Sequence, residues 1–174
     1  GAQAKFYEQH EAQGTAHAVL CAAALLKGPV IVAFADTLFK GDFMLDTTQE
    51  SIIWVKQIEN PAAFGVVKCN AQGKVTGFVE KPQKWVSDLA IIGIYYFKEG
   101  DQLQQALKQL IVQGLKRGTE YQLTDALESM VQAGIQFTTQ PVEEWLDCGN
   151  KEATIHTNQR FLTFLQEHES LISP

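Results

Sequence analysis

The sequence has little that would direct the chain to a membrane, an oxidising compartment or nucleic acid. It has three cysteines, Cys21, Cys69 and Cys148, whose odd number and scattered positions fit neither a disulfide framework nor a set of metal ligands. No apolar run is long enough to cross a bilayer, and no basic segment followed by an apolar one opens the chain. These absences predict reduced thiols and a cytoplasmic location.

Clusters of basic residues are also missing. The chain has 14 Lys and Arg against 20 Asp and Glu, a formal net charge of -6. Binding to a nucleic-acid backbone requires a concentrated basic patch, so small-molecule partners are expected instead. With 174 residues and 45% hydrophobic content, the chain is long enough for one domain with a buried core, spanning residues 1–174.

Apolar runs alternate with helical patterns along the chain, which is typical of an α/β fold. The run 30–35 is uniformly apolar and short, so we expect a strand buried on both faces. Thr15 is placed to cap the first helix. We expect strands at 30–35, 51–58, 64–69, 74–80, 90–97 and 135–142, and helices at 15–26, 101–113, 122–133 and 151 to about 168.

Two aspartates, Asp36 and Asp147, each follow an apolar segment directly. Ligands collect at the carboxyl ends of strands in open α/β sheets, which is where Asp36 is expected. Mg²⁺ binds oxygen ligands and usually takes one or two carboxylates, with water and phosphate oxygens completing its shell. The spacing alone leaves open a structural alternative, in which both carboxylates only form hydrogen bonds within turns.

The segment 78–82 (FVEKP) places Glu80 and Lys81 at a strand end, where Pro82 prevents the ladder from continuing. A lysine there supplies a compact positive charge for a phosphate, and a glutamate accepts hydrogen bonds from sugar hydroxyls. The residues alone equally allow an exposed surface pair.

With the segments 9–18 (QHEAQGTAHA), 32–39 (VAFADTLF) and 144–149 (EWLDCG), this pattern resembles the nucleotide-sugar pyrophosphorylases, which join a nucleoside triphosphate to a sugar 1-phosphate. The resemblance implies a three-layer Rossmann-like nucleotidyltransferase core with a mixed, mostly parallel sheet. The family's first strand and its glycine-rich, arginine-containing loop have no counterpart before Gln9. The resemblance therefore implies an N-terminally truncated chain that is inactive or incomplete by itself and forms a homo-oligomer, because the missing strand would leave backbone groups bare.

The resemblance also implies the roles of individual residues. Asp36 and Asp147 would hold a catalytic Mg²⁺, and Lys81 would contact the sugar 1-phosphate. Gln9, Gly14 and Thr15 would bind the nucleotide base, while His17 is expected to be structural. The residues implied to line the sugar side are Gly65, Glu80, Gly93 and Trp145, with the run 120–125 (EYQLTD) beside them.

The implied reaction is a direct displacement, in which a sugar 1-phosphate oxygen attacks the α-phosphorus of the nucleotide and pyrophosphate leaves. The spacing of Gln9 and Gly14 favours a pyrimidine, dTTP or UTP, and glucose 1-phosphate is the favoured sugar. Two alternatives remain. A non-catalytic subunit that binds a sugar phosphate or nucleotide sugar would keep Glu80 and Lys81. A metal-dependent glycosyltransferase usually carries an Asp-x-Asp segment, which Asp36-Thr37-Leu38 does not provide.

Overall fold

The structure is a computed structural model that describes residues 1–41 and 44–169, with side chains up to residue 166. Two short 3-10 turns, Ala23–Leu25 and Pro61–Ala63, accompany the helices. The helices are α1 (Thr15–Cys21), α2 (Gly100–Val112), α3 (Leu123–Gln132) and α4 (Lys151–Glu169). The strands are β1 (Val30–Ala33), β2 (Thr37–Lys40), β3 (Ser51–Gln57), β4 (Gly65–Cys69), β5 (Val75–Glu80), β6 (Leu89–Phe97), β7 (Phe137–Pro141) and β8 (Glu144–Asp147).

Six strands form the main sheet, in the order β5-β4-β6-β3-β7, with β1 also paired to β6. The nine-residue β6 is long enough to pair with three other strands. It pairs with β3 along one edge, and on the other edge it meets β4 at Ala90 and β1 from Ile94 to Phe97. The remaining strands, β2 and β8, form a separate antiparallel ribbon.

The expected mixed sheet is confirmed, but its pairings are not mostly parallel. Among the described strands, β3 and β7 form the only parallel hydrogen-bonded pair, and all other pairs are antiparallel. The reason lies in the connections: a short turn at 70–74 joins β4 to β5, which forces an antiparallel hairpin. A parallel pair needs a longer connection, and between β3 and β7 the chain passes through β4, β5, β6, α2 and α3.

Three layers result, as the sequence predicts. Side chains of β3 alternate between two apolar clusters, because successive residues of a strand point to opposite faces. Ile53 and Val55 pack with α2 and α3 on one face. Ile52 and Trp54 form a smaller cluster on the other face, next to the β2–β8 ribbon, and α4 packs on β8. None of the described helices is both long and apolar enough to cross a bilayer.

The strand β1 differs from the expectation that both of its faces are buried. Val30 and Val32 pack against the helix-side core, whereas Ile31 on the opposite face is 47% exposed. Within the described part of the chain, β1 pairs only with β6. A uniformly apolar run therefore does not require two covered faces when the strand lies at the margin of its sheet.

The sequence suggests that Thr15 caps its own helix, and this prediction is wrong. Gly14 occupies the N-cap position of α1 and no side chain caps it. Instead, the Thr15 hydroxyl accepts a hydrogen bond of 2.9 Å from the backbone N–H of Leu123, the first residue of α3. The threonine thus satisfies a helix end more than 100 residues away, which no local pattern could indicate.

Candidate active site

A cavity of about 210 Å³ opens where β1, β4, β5 and β6 meet the start of α3 and the end of β8. Three residues from the predicted site, Gln9, Gly14 and Lys81, are not among those that line it. The cavity brings together the other predicted residues, namely Thr15, Asp36, Gly65, Glu80, Gly93, Trp145 and Asp147.

Asp36 and Asp147 converge because the short strands that follow or contain them pair. Thr37 of β2 lies opposite Asp147 of β8, and the Cys148 N–H donates to the Asp36 carbonyl at 2.8 Å. A Cβ at Gly149 would lie 3.1 Å from Asp147 Oδ1 and 3.5 Å from Asp36 Oδ2. Both carboxylates therefore face the same small volume of space, beside a residue without a side chain.

Asp147 is held by groups that the sequence did not single out. Its Oδ1 accepts the Gly149 N–H at 3.0 Å, and its carbonyl accepts the hydroxyl of the buried Thr157 at 2.7 Å. The second contact anchors α4 to the end of β8. A glycine two residues after an aspartate is a weak sequence signal, and Thr157 gives none.

The cavity is acidic. Its lining includes Asp36, Glu80 and Asp147 but no lysine or arginine. Tyr95 also lines the cavity, and burial first, then the charges of Glu80 and Asp36, raise the pKa of its phenol above the usual range. Such a site attracts a cation, and it repels a phosphate unless a cation is present.

The donor set suits a hard divalent cation. Two carboxylates alone fit Mg²⁺, which fills its remaining positions with water and phosphate oxygens. Among residues 1–41 and 44–169, no three His, Cys, Asp or Glu side chains gather into a metal-binding group. The site thus differs from the closed four-ligand cages that hold structural zinc.

Glu80 is held against Gly65 and the first turn of α3. The Thr124 hydroxyl donates to Glu80 Oε2 at 2.9 Å, and Thr124 is only 6% exposed. Gly65 lies opposite Glu80 in the β4–β5 ladder. A Cβ there would lie 2.9 Å from Thr124 Cγ2 and 3.0 Å from Glu80 Oε2, so only glycine leaves this carboxylate in place.

Lys81 follows at the rim, exposed and outside the cavity lining. Its φ of 43° lies in the left-handed region, and no other non-glycine residue of the described chain has a positive φ. The Lys81 N–H donates to the Phe64 carbonyl at 3.1 Å. Strain of this kind costs about 1–3 kcal/mol and is common at functional sites.

Aromatic rings form the cavity walls. The rings of Phe64 and Trp145 meet edge to face with centroids 4.7 Å apart. Gly93 has a φ of 85°, and a Cβ there would lie 3.1 Å from Phe34 Cδ2. The glycine therefore allows Phe34 to lie against β6, which explains the position of a glycine inside a buried strand.

Gln9, Gly14 and Thr15 form a connected group beside the cavity. Gln9 Nε2 donates to the Gly14 carbonyl at 3.1 Å and lies 2.9 Å from His17 Nδ1. A Cβ on Gly14 would lie 2.5 Å from the Tyr121 carbonyl oxygen. The loop before α1 is thus packed onto the loop before α3, and Thr15 alone of the three lines the cavity.

The fold and the site together define an α/β protein with an acidic, glycine-lined pocket whose carboxylates suit a divalent cation. The nucleotidyl transferase family matches residues 1–163. The chain therefore belongs to the nucleotidyl transferase family.

Curated relatives agree with this assignment. The chain is 30% identical over 164 residues to the bifunctional protein GlmU of Methanococcus vannielii, covering 91% of this chain and 38% of the relative. It is 29% identical to the low-salt glycan biosynthesis nucleotidyltransferase Agl11 of Haloferax volcanii, with 93% and 46% covered. Glucose-1-phosphate thymidylyltransferase of Streptomyces antibioticus is 28% identical, with 95% and 48% covered. The chain thus spans less than half the length of these relatives.

A solved structure shares the fold. UDP-glucose pyrophosphorylase in complex with UDP-glucose superposes with a TM-score of 0.74 at 22% identity, covering 89% of this chain and 64% of that one. The expected resemblance to nucleotide-sugar pyrophosphorylases is confirmed at the level of family and fold.

Proposed function

We propose that this chain forms the core of a cytoplasmic sugar-1-phosphate nucleotidylyltransferase. Its substrates would be dTTP or UTP and glucose 1-phosphate, and its products a nucleotide sugar and pyrophosphate. The observation that carries this proposal is the convergence of Asp36 and Asp147 on Gly149, in the same cavity as Glu80. The presence of a glucose-1-phosphate thymidylyltransferase and a UDP-glucose pyrophosphorylase among the similar proteins supports these substrates.

Each group has a separate task in this proposal. Mg²⁺ held by Asp36 and Asp147 would neutralise phosphate charge in a pocket that is otherwise acidic. Glu80 accepts hydrogen bonds from sugar hydroxyls, and Lys81 at the rim supplies a positive charge for the sugar phosphate. Little covalent work falls to the protein, because positioning and charge neutralisation dominate phosphoryl-transfer chemistry.

The first experiment measures pyrophosphate release with Mg²⁺, glucose 1-phosphate and each of dTTP, UTP, CTP, ATP and GTP. Asp36→Asn removes one proposed metal ligand. Asp46→Asn is the matched control, because Asp46 is exposed and its carboxylate accepts hydrogen bonds from nearby Thr48 and Gln49. Release with a pyrimidine nucleotide that is lost in Asp36→Asn and kept in Asp46→Asn is the expected result. Equal release by both variants would exclude the metal role.

A non-catalytic binding subunit is the second candidate. Gly65, Glu80 and Thr124 contact one another on the proposed sugar side of the cavity, which supports binding of a sugar phosphate without turnover. Calorimetric titration with glucose 1-phosphate separates the two. Binding without pyrophosphate release favours the subunit, and binding of neither substrate excludes both functions.

We also propose that the chain self-associates. Within the described residues β1 pairs only with β6, and Ile31 and Leu25 beside it are exposed. An unpaired strand edge with exposed apolar side chains favours association with another chain. Light scattering over a range of concentrations tests this, and a monomer throughout would disprove it.

A further inference from the structure

The side-chain amide of Gln9 has a defined orientation. Its Nε2 lies 3.1 Å from the Gly14 carbonyl oxygen, which also accepts the Ala18 N–H at 3.1 Å. A carbonyl can only accept, so the amide group facing it must be the NH₂ and not the oxygen. The alternative orientation would bring two acceptors together.

This orientation determines the state of His17. The second contact of Gln9 Nε2 is His17 Nδ1, at 2.9 Å. Since the NH₂ group can only donate, Nδ1 must accept, which places the imidazole proton on Nε2. Both side chains are half-buried, so the contact is partly shielded from competing water.

The two contacts use both hydrogens of the Gln9 amide. Gln9 Oε1 has no hydrogen-bond partner within residues 1–41 and 44–169. Gln9 can therefore offer a ligand only an acceptor. The ring nitrogen N3 of uracil and thymine carries a hydrogen and can donate to such a group, whereas N3 of cytosine carries none and cannot make that bond from the same position.

We propose that His17 is a positioning residue that holds Gln9 as an acceptor, so that the nucleotide site prefers uracil or thymine to cytosine. This inference rests on the proposed function and on the base-binding role that the family resemblance implies for Gln9. The sequence predicts only a structural role for His17, because a histidine in a helix is expected to face that helix or its neighbour.

The test compares three variants. His17→Phe keeps an aromatic ring but removes the acceptor, and His17→Asn restores an acceptor near the position of Nδ1. His10→Phe is the matched control, because the His10 side chain is 81% exposed and lies beside the similarly exposed Glu8. Dissociation constants for UTP, CTP and glucose 1-phosphate are measured for each by calorimetry.

The loss of one hydrogen bond predicts about a tenfold fall in the UTP-to-CTP preference of His17→Phe. Glucose 1-phosphate affinity should not change, His17→Asn should recover most of the preference, and His10→Phe should equal the wild type. An unchanged preference in His17→Phe would overturn the proposal. So would an equal loss of nucleotide and sugar affinity, which indicates a merely structural residue.

Nitrogen-15 NMR of the wild-type chain provides a second test that needs no ligand. In its neutral form, His17 should show a protonated Nε2 and an unprotonated Nδ1. A proton on Nδ1 would refute the positioning contact. If the wild type bound neither UTP nor CTP, the pyrimidine function and the base preference would both fail, while the NMR result would still decide the Gln9–His17 contact.

Discussion

Replacing Thr124 by valine tests whether the first turn of α3 holds Glu80 in place. Valine keeps the Cγ2 methyl that lies against Gly65 and exchanges only the hydroxyl for a second methyl. The hydroxyl now donates to Glu80 Oε2 at 2.9 Å. A methyl at the same position would be closer to the oxygen than the about 3.3–3.6 Å at which carbon and oxygen normally meet.

Two effects determine how much stability Thr124→Val should lose. Removing one partner of a buried hydrogen bond costs about 1–3 kcal/mol. Glu80 lines an open cavity, so water can replace the lost donor, and we expect a cost of about 1 kcal/mol in the free energy of unfolding. For a chain of this length that corresponds to a fall of about 2–4 °C in Tm. The displaced carboxylate should also weaken glucose 1-phosphate binding by about tenfold.

Thr124→Ser is the matched variant, because it keeps the hydroxyl and removes the methyl that faces Gly65. It should lose stability through the small cavity but keep sugar affinity. Thermal unfolding and calorimetric titration of both variants separate the two effects. If Thr124→Val bound glucose 1-phosphate as tightly as the wild type, Thr124 would not position Glu80. If Thr124→Ser lost as much affinity as Thr124→Val, packing alone would explain the result.

Three further predictions concern backbone conformation and charge. Gly93→Ala should lower the free energy of unfolding by about 1–3 kcal/mol more than Gly134→Ala in urea titrations, because both glycines have positive φ but only Gly93 has Phe34 within reach; equal losses would disprove the contact. Lys81→Gly should stabilise the chain by about 1 kcal/mol through relief of its left-handed backbone while weakening glucose 1-phosphate binding, and a loss of stability would contradict the strain. Because the folded chain raises the pKa of Tyr95, its contribution to stability is complete below a pH of about 10 and is lost as the pH rises further; Tyr95→Phe should reduce this alkaline loss, and unchanged alkaline unfolding would refute it.

Some features of the site follow from local sequence patterns, and others follow from tertiary contacts. The run Phe78 to Pro82 marks a strand end that carries Glu80 and Lys81, and the structure ends β5 at Glu80. Asp36, which follows the apolar run 30–35, lines the cavity. These features depend on residue type and short-range periodicity, which a sequence displays directly.

Other features depend on contacts between distant segments. The ribbon of β2 and β8 was not predicted, since each strand has four residues and its partner lies more than 100 residues away. The hydroxyl of Thr15 also bonds far along the chain, to Leu123, and that of Thr157 donates to Asp147 in the preceding strand. A short polar side chain has many possible partners, and its sequence neighbours do not select one.

Composition and periodicity alone determine that this chain is an α/β protein with one layered core and candidate carboxylates at strand ends. Only the tertiary structure brings Asp36 and Asp147 to Gly149, makes most of the strand pairs antiparallel, and leaves one face of β1 exposed. The physical reason is that the period of a strand or helix follows from the covalent geometry of successive residues. Pairing, direction and coverage depend instead on which distant surfaces meet, and that choice minimises the free energy of the whole chain and not of any single segment.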